Sequence, residues 1–355
     1  MSKQPSDATP HSEGFCMPAE WEPHESTWLA WPHELTDWPG KFAPITWAFA
    51  EIVRLLSQVE RVKLLVEDGA SEKRVRNVLR KSGSDLTRVD FLPIPTDRGW
   101  MRDSGPICLK NARGEVAFTN FAFNGWAKYS NHKKDAMVVV KANRVLRRRL
   151  WQPVQAGRRL VLEGGSIDVN GAGTLVTTEE CLLSKTQERN PGLTREDYAR
   201  VFRDYLGVSN VLWLRNGISG DDTHGHVDDL TRFVNPTTLV TVVEHEQSDA
   251  NYAALNENLA LLKTMKDQDG RPLRIETLPM PAPVFFDGQR LPASYANFYI
   301  ANKLVLVPTF NDPRDREALC TLASLFPSRE VVGVACRDVV LGLGTIHCMT
   351  QQQPA

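Results

Sequence analysis

The 355-residue chain lacks several features that would assign a function class at once. Its formal net charge is only -1, so it has neither a basic surface for nucleic acid nor an acidic tail. No apolar run approaches the roughly 18 residues of a membrane span, and the N-terminal residues contain no apolar signal core. Neither GxGxxG nor GxxxxGK[ST] occurs. We therefore expect a cytoplasmic protein that binds no nucleic acid and no membrane.

Cysteines are few and dispersed, and no CxxC pair is present. This pattern is typical of reduced thiols and not of a disulfide framework or a zinc ribbon. A single thiol with special reactivity is compatible with it. The six cysteines are Cys16, Cys108, Cys181, Cys320, Cys336 and Cys348.

The first 14 residues are polar and contain Pro, Ser and Gly, which predicts a flexible leader over residues 1–14. Folded sequence should begin near Met17. The remaining chain, 42% of which is hydrophobic overall, is long enough for one large domain or two ordinary ones. We predict a single catalytic domain over residues 15–355.

Helical and extended patterns alternate along this domain. Short β-branched runs such as VKLLV, TRVDFLPI, VAFTNFAF, RLVLEG, VLWL, TLVTVVE, RIETLP, KLVLVP and EVVGV predict strands. The later helix starts recur about every 60 residues, which favours a circular arrangement of similar α/β units. A conventional doubly wound sheet is the alternative. The predicted helices cover residues 44–59, 71–81, 135–150, 194–206, 249–265 and 312–326.

The densest polar segment, GDDTHGHVDD, runs from Gly220 to Asp229 and leads into an apolar strand. If it is extended, His224, His226 and Asp228 face one side. A histidine beside a carboxylate can transfer protons near neutral pH. A solvated polar turn is the alternative interpretation.

A second segment, GLGTIHCMT, places two glycines before a His-Cys pair near the C-terminus. Glycines allow a backbone to approach a ligand closely, and the Cys348 thiol is a candidate nucleophile. A buried structural cysteine is the alternative.

Two further segments, WMRDSGP and LEGGSI, place Asp103 and Glu163 where strands give way to loops. In α/β proteins this is the usual position of site residues. Alternatively, Asp103 pairs with Arg102 and Glu163 caps a turn.

Carboxylates around a thiol favour a cationic electrophile, because acyl transfer needs oxyanion donors instead. A guanidinium group fits, since its planar N–H groups match paired carboxylates. Aromatic rings can hold such a cation, and Trp28, Trp31, Trp100 and Trp126 are candidates. A zinc hydrolase using His224, His226, Asp228 and His347 is a competing hypothesis.

Taken together, the ordered motifs resemble agmatine deiminase and its relatives, the bacterial peptidylarginine-deiminase-like proteins. The resemblance extends from Met17 to Pro354 and implies a pentein fold, which is a five-bladed α/β propeller with pseudo-fivefold symmetry. It also implies hydrolysis of agmatine to N-carbamoylputrescine and ammonia without metal or cofactor. The matching motifs are MPAEWEPHESTWLAWP, WMRDSGP, FNGW, LEGGSI, TEECLL, RNPG, GDDTHGHVDD, SYANFYIAN and GTIHCMTQQQP.

By the same resemblance, Cys348 is the nucleophile that forms a thiouronium intermediate and His226 is the general acid and base. Asp103 and Asp228 grip the guanidinium group, and Glu163 orients His226. We further expect four residues to bind the substrate, namely Trp100, Trp126, Gly344 and Thr345.

Some positions depart from the plant-type pattern: Leu343 replaces a frequent glycine, Thr345 a frequent asparagine, and Ala127-Lys128 follows FNGW where glycines are common. These departures leave the group beyond the guanidinium open, so arginine or peptidyl arginine is an alternative substrate. A non-catalytic guanidinium-binding protein on the same scaffold ranks lower, because binding has no use for the thiol. Tyr295 and Asn297 either support the site or belong to a structural strand, and a homodimer is possible.

Overall fold

Helices and strands alternate along residues 8–355, the part of the chain that the computed structural model describes. The helices of this part are α1 (Phe42–Val59), α2 (Gly69–Ser82), α3 (Met101–Ser104), α4 (Val138–Leu146), α5 (Glu179–Leu183), α6 (Arg195–Leu206), α7 (Tyr252–Leu262), α8 (Asp315–Leu325) and α9 (Ile346–Met349). The predicted α/β class is confirmed.

The strands are β1 (Phe15–Cys16), β2 (His24–Ala30), β3 (Arg61–Val66), β4 (Val89–Pro93), β5 (Ile107–Asn111), β6 (Val116–Thr119), β7 (Leu150–Trp151), β8 (Val154–Gln155), β9 (Arg158–Arg159), β10 (Asp168–Val169), β11 (Thr174–Thr178), β12 (Asn210–Leu214), β13 (Thr231–Asn235), β14 (Thr238–Val243), β15 (Arg274–Pro279), β16 (Phe285–Phe286), β17 (Gln289–Arg290), β18 (Tyr299–Ile300), β19 (Leu304–Thr309), β20 (Glu330–Ala335) and β21 (Gln351–Pro354).

Five sheets of three or four strands share one local topology within the described residues. Their strand orders are β1-β5-β6-β7, β10-β11-β12, β13-β14-β15, β18-β19-β20 and β21-β2-β3-β4. In each, one strand pairs antiparallel with one neighbour and parallel with the other. A helix lies in each parallel connection, as such crossovers require: α4, α6, α7, α8 and α1 respectively join β6-β7, β11-β12, β14-β15, β19-β20 and β2-β3.

The strands between two neighbours are buried on both faces, which explains their continuous apolar sequences. All six residues of β14 and five of the six in β19 are buried. Helix α1 turns one side inward, with Ile45, Phe49, Ile52 and Leu56 in the core. The repeated strand-helix-strand unit therefore follows from alternating buried runs and amphipathic helices.

Several predicted boundaries are confirmed and others are wrong. Helix α6 begins after Thr194, as predicted, and the Thr194 side chain forms a capping box with Asp197. Helix α4 is much shorter than predicted, because Arg147 adopts a left-handed conformation and Leu150–Trp151 form β7 beside β6. Most of RLVLEG is not a strand; it contributes only the end of the β8-β9 hairpin and an isolated bridge at Val161.

The described part of the predicted leader is ordered. His11–Glu13 form a 3-10 turn, and the Trp151 indole donates a hydrogen bond to the Ala8 carbonyl at 3.1 Å. Glu13 also forms an ion pair with Arg149. Regular structure therefore begins before Met17, whereas residues 1–7 of the predicted leader lie outside the described residues. Among the described helices, none combines the length and apolar character needed to cross a lipid bilayer.

Candidate active site

Five candidates from distant parts of the sequence meet in one buried cluster: Asp103, Glu163, His226, Asp228 and Cys348. The Nδ1 atom of His226 lies 3.8 Å from Asp103 Oδ1, and its Nε2 atom lies 3.8 Å from Glu163 Oε2. The Cys348 thiol lies 3.6 Å from Asp228 Oδ2. They come from short connections: α3, the segment after β9, the turn before β13, and α9.

Asp103 sits in α3 with both carboxylate oxygens fixed. Its Oδ1 accepts a hydrogen bond from the Gly165 amide at 3.0 Å, and its Oδ2 accepts one from the Trp126 indole at 2.8 Å. Burial raises the pKa of Asp103 to about 6; the neighbouring His226 opposes this rise, and the charges of Asp228 and Glu163 add to it. The structural alternative for this residue, an ion pair with Arg102, does not occur: Arg102 pairs with Glu20.

Glu163 and His226 form a charged pair closed off from solvent. Burial acts to raise the pKa of Glu163, but the guanidinium of Arg189, 3.1 Å away, and His226 outweigh it and lower this pKa to about 2. Burial acts to lower the pKa of His226, but Asp103, Cys181 and Glu163 raise it well above its ordinary value. His226 is therefore an imidazolium at neutral pH. Arg189 begins the RNPG motif, but nothing in its local sequence marks it as a site residue.

Cys348 lies in α9, where a neighbouring amide and a glycine set its position. The Asn297 Nδ2 atom donates to the Cys348 sulfur at 3.1 Å. A Cβ atom on Gly344 would stand 3.2 Å from that sulfur and 3.0 Å from the Trp100 ring. Burial, followed by the charges of Asp228, Asp229 and Asp103, raises the pKa of this thiol well above its usual range. In the unliganded site Cys348 is protonated.

Asn297, whose role the sequence left open, ties together the segment around the thiol. Its side-chain oxygen accepts hydrogen bonds from the Thr345 hydroxyl at 2.7 Å and from the His347 amide at 3.0 Å. Its Nδ2 atom also donates to Asp229 at 3.0 Å. Asn297 therefore supports the site. Tyr295 instead donates to Asp315 at the start of α8, away from the cluster.

Several buried polar atoms of the cluster have no hydrogen-bond partner among residues 8–355: Glu163 Oε2, both ring nitrogens of His226, and Asp228 Oδ1. Buried polar atoms are normally paired, because an unpaired one costs its desolvation free energy. The two carboxylate oxygens can thus accept hydrogen bonds from a ligand with several N–H donors or from water, whereas the two nitrogens of an imidazolium His226 can only donate.

A cavity of about 430 Å³ leads to this cluster. Cys348 and Asp103 are among the residues that line it, as are Trp100 and Trp126. Glu163, His226 and Asp228 lie behind this lining. Gly344 and Thr345 also do not line the cavity; they pack behind it, against Cys348 and Asn297.

The other two tryptophan candidates do not reach the cavity. Trp28 is fully buried and donates to Gln353, and Trp31 packs against Phe49. Leu343, one of the departures from the family pattern, does line the cavity. Leu343 and Ala127 have φ angles of 66° and 54°, a conformation that glycine adopts without strain.

Further charged side chains line the cavity. Asp37 forms an ion pair with Arg98, and Asp222 forms one with Lys128. Asp287, in the β16-β17 hairpin, makes no hydrogen bond or ion pair with any side chain of the described chain and lines the cavity. Asp287 is also exposed, so its negative charge lies where the cavity meets solvent.

The four residues of the zinc hypothesis are not brought together. The GDDTHGHVDD segment is not extended: His224 has a φ of 64°, and Val227–Asp229 form a 3-10 turn. The His224 ring contacts Ser184 at 3.1 Å, away from the cluster, and both ring nitrogens of His347 contact carboxylates. Two other buried groups, Glu163-Cys181-His226 and Asp228-Asp229-Cys348, each bring three possible ligand atoms within 4.8 Å.

Solved structures of deiminases have the same fold. The agmatine deiminase of Enterococcus faecalis superposes with a TM-score of 0.91 at 32% identity, and the match covers 99% of each chain. A putative arginine deiminase from Porphyromonas gingivalis gives a TM-score of 0.86 at 37% identity, covering 96% of this chain and 98% of the other. The fold class is thus that of the deiminases.

The family follows from the sequence. The profile of the Porphyromonas-type peptidyl-arginine deiminases matches residues 16–354, and the chain belongs to this family. It is also 36% identical, over 371 aligned positions, to the agmatine deiminase of Pseudomonas aeruginosa, with 98% of each protein covered. The resemblance noted in the sequence is confirmed.

Proposed function

We propose that this protein hydrolyses agmatine to N-carbamoylputrescine and ammonia. The observation that carries the proposal is that Cys348 and Asp103 line a cavity, with His226, Glu163 and Asp228 behind them. Full-length similarity to proteins named agmatine deiminase supports the same reaction.

In this proposal the carboxylates bind the guanidinium group and the aromatic rings flank it. Asp228 Oδ1 is buried without a partner, and Asp103 keeps lone pairs beyond its two accepted hydrogen bonds. Paired carboxylates match the forked N–H donors of a guanidinium group. Trp100 and Trp126 provide ring faces for a cation at the sides.

Substrate binding also explains how the thiol becomes reactive. Burial and three nearby carboxyl groups raise the pKa of Cys348, so the free thiol keeps its proton. A bound guanidinium ion neutralises part of this negative charge, and the thiol then loses its proton more readily. The nucleophile forms mainly when its electrophile is present.

The Cys348 thiolate attacks the guanidinium carbon to give a neutral tetrahedral adduct. Imidazolium His226 protonates one nitrogen, the C–N bond breaks, and ammonia leaves a cationic thiouronium group on the sulfur. Neutral His226 then takes a proton from water as its oxygen attacks the same carbon. The C–S bond breaks, which returns the thiolate and releases the ureido product after loss of a proton. Glu163 orients His226 throughout.

The cavity mouth supports agmatine over arginine. Agmatine ends in an ammonium group, whereas arginine and peptidyl arginine carry a carboxylate or a peptide backbone. Arg98, which lines the cavity, is already paired with Asp37, and Asp287 remains as an uncompensated negative charge. We propose that Asp287 attracts the ammonium end of agmatine and disfavours a carboxylate there.

For the architecture, we propose that residues 15–355 form a single catalytic domain in which the five sheets are the blades of a five-bladed propeller. Their shared topology supports this, as does the pairing of β2 with β21, which joins the two ends of the chain. A homodimer and a cytoplasmic location remain proposals. None of the six cysteines forms a disulfide, which supports a reducing compartment.

The test is ammonia release from agmatine, arginine and a blocked peptidyl arginine in parallel, with the Cys348→Ala protein as the blank for each. Turnover of agmatine alone supports the proposal. Turnover of arginine or the peptide instead keeps the chemistry and contradicts the substrate, and no Cys348-dependent ammonia from any of them contradicts the reaction. Loss of activity on thiol alkylation, but not on chelation, separates this reaction from zinc hydrolysis.

A further inference from the structure

The residue next to the proposed nucleophile, His347, is buried between two carboxylates. Its Nδ1 atom lies 2.7 Å from Asp228 Oδ2, and its Nε2 atom lies 2.8 Å from Glu20 Oε2. Only 1% of the residue is exposed, so water does not compete for either contact. The reaction proposed above gives His347 no role.

These two distances determine the protonation state of His347 if both carboxyl groups are ionised. A neutral imidazole has one N–H group, so its other nitrogen would place a lone pair against a carboxylate oxygen. Two acceptors at 2.8 Å repel each other, whereas an imidazolium donates from both nitrogens. The contacts therefore require either a charged His347 or a protonated carboxyl group.

Glu20 is ionised. Its Oε2 atom lies 2.9 Å from Arg232 Nη2 and 3.3 Å from Arg102 Nη2, and its Oε1 atom accepts the Ile300 amide at 2.8 Å. Burial acts to raise the pKa of Glu20, but Arg232, His347 and Arg102 together hold it well below its ordinary range. A proton on this carboxyl group would face donors on all sides.

A positive charge on His347 stabilises the ionised form of Asp228. Within the network below the site, the two positive charges of Arg102 and Arg232 are matched by the negative charges of Glu20 and Asp168. Asp228 faces the Cys348 thiol and has no other cation as a direct hydrogen-bond partner within residues 8–355. A positive His347 supplies the missing partner.

We propose that His347 donates hydrogen bonds from both ring nitrogens and is a positioning residue. Its hydrogen bond to Oδ2 keeps the Asp228 carboxylate ionised. Oδ1 then remains free to accept a hydrogen bond from the guanidinium group. His347 itself touches neither the substrate nor the reacting atoms. This inference deepens the proposed function and rests on it for the role of Asp228, whereas the charge of His347 can be tested without substrate.

The first test is NMR of the ¹⁵N-labelled protein at pH 7, with the His347→Gln spectrum used to assign the signals. We expect two N–H groups on the His347 ring. A single N–H group would overturn the proposal. Neither result depends on turnover, so a failure here is distinguishable from a failure of the agmatine assignment.

The second test is the pH dependence of agmatine turnover by His347→Gln. The amide cannot donate to both carboxylates, so Asp228 loses its cationic partner and its pKa rises. We expect kcat/KM to fall about tenfold or more. The acidic limb of its pH profile, set near pH 6 by Asp103 in the unmodified protein, should move to higher pH as Asp228 takes over. His24→Gln is the matched control, since it removes another buried histidine, bonded to Glu60 and to the Glu20 carbonyl. The His24→Gln variant should lower the free energy of unfolding without shifting the acidic limb of the pH profile. If His347→Gln is folded by circular dichroism and its acidic limb is not shifted, a positioning role for His347 is contradicted.

Discussion

A Cβ atom at Gly165 would lie 2.5 Å from the Nδ1 atom of His226. The same atom would lie 2.9 Å from Asp103 Oδ1 and 3.1 Å from Asp228 Oδ2. The position has no left-handed φ angle, so space and not backbone conformation requires glycine. The second glycine of LEGGSI thus allows three polar side chains to converge.

We expect Gly165→Ala to reduce kcat/KM for agmatine by at least about tenfold, because displaced side chains no longer fit the substrate. The cost in folding free energy should be about 1–3 kcal/mol, typical of overpacking. Kinetics and urea unfolding measure the two effects. Gly69→Ala is the control, since a Cβ there meets nothing within 4 Å. Equal activities of the two variants would contradict the packing argument.

The ionisation of Asp103 should appear in the pH dependence of activity. With its pKa raised to about 6, Asp103 is ionised above that pH and neutral below it. A neutral carboxyl group attracts a guanidinium ion weakly, so kcat/KM should fall about tenfold per pH unit below pH 6.

Asp37 provides the control for this measurement. It also lines the cavity, and burial raises its pKa to about 6 despite Arg98. We expect Asp37→Asn to retain the acidic limb. If the limb disappears in that variant, Asp37 is its source and the assignment to Asp103 fails.

The buried ion pair between Arg189 and Glu163 should contribute strongly to stability. Both side chains are fully buried, and removing one partner of such a pair leaves an uncompensated charge. We expect Arg189→Met to lower the free energy of unfolding by about 3 kcal/mol and to abolish most activity, since Glu163 then loses its position beside His226. Chemical denaturation gives the first value.

The comparison variant is Arg271→Met. Arg271 also pairs with two carboxylates, Asp267 and Asp269, but its side chain is 60% exposed. Exposed pairs contribute less than about 1 kcal/mol. If Arg189→Met and Arg271→Met lower the free energy of unfolding by similar amounts, burial does not determine how much such an ion pair contributes to stability.

Asp287 should affect substrate affinity more than turnover. Removing its charge in Asp287→Asn should raise KM for agmatine roughly fivefold with little change in kcat, because the ammonium end is far from the bond that breaks. Steady-state kinetics with agmatine and arginine in parallel measure this change. Asp269→Asn, an exposed carboxylate of another loop, should leave both constants unchanged. An unchanged KM in Asp287→Asn would exclude Asp287 from recognition of the tail.

The sequence located the polar segments of the site but not their local conformation. His226 and Asp228 enter the cluster as predicted, yet a turn with a left-handed residue separates them from His224. A pattern read as an extended strand cannot reveal such a turn. The local sequence does not mark Arg189 and Asn297 as site residues, because their partners, Glu163 and Cys348, are 26 and 51 residues away in the sequence.

Local features were determined by the sequence itself. The apolar runs specify strands because both faces are buried, Thr194 and Asp197 specify the start of α6, and the ordered motifs specify the family. Only the tertiary structure decided which atoms meet. It places two carboxylates on opposite sides of the His347 ring, and it leaves Asp228 Oδ1 buried without a hydrogen-bond partner among residues 8–355. Charge and protonation depend on such distances and on exclusion of water, and neither is encoded within a short segment.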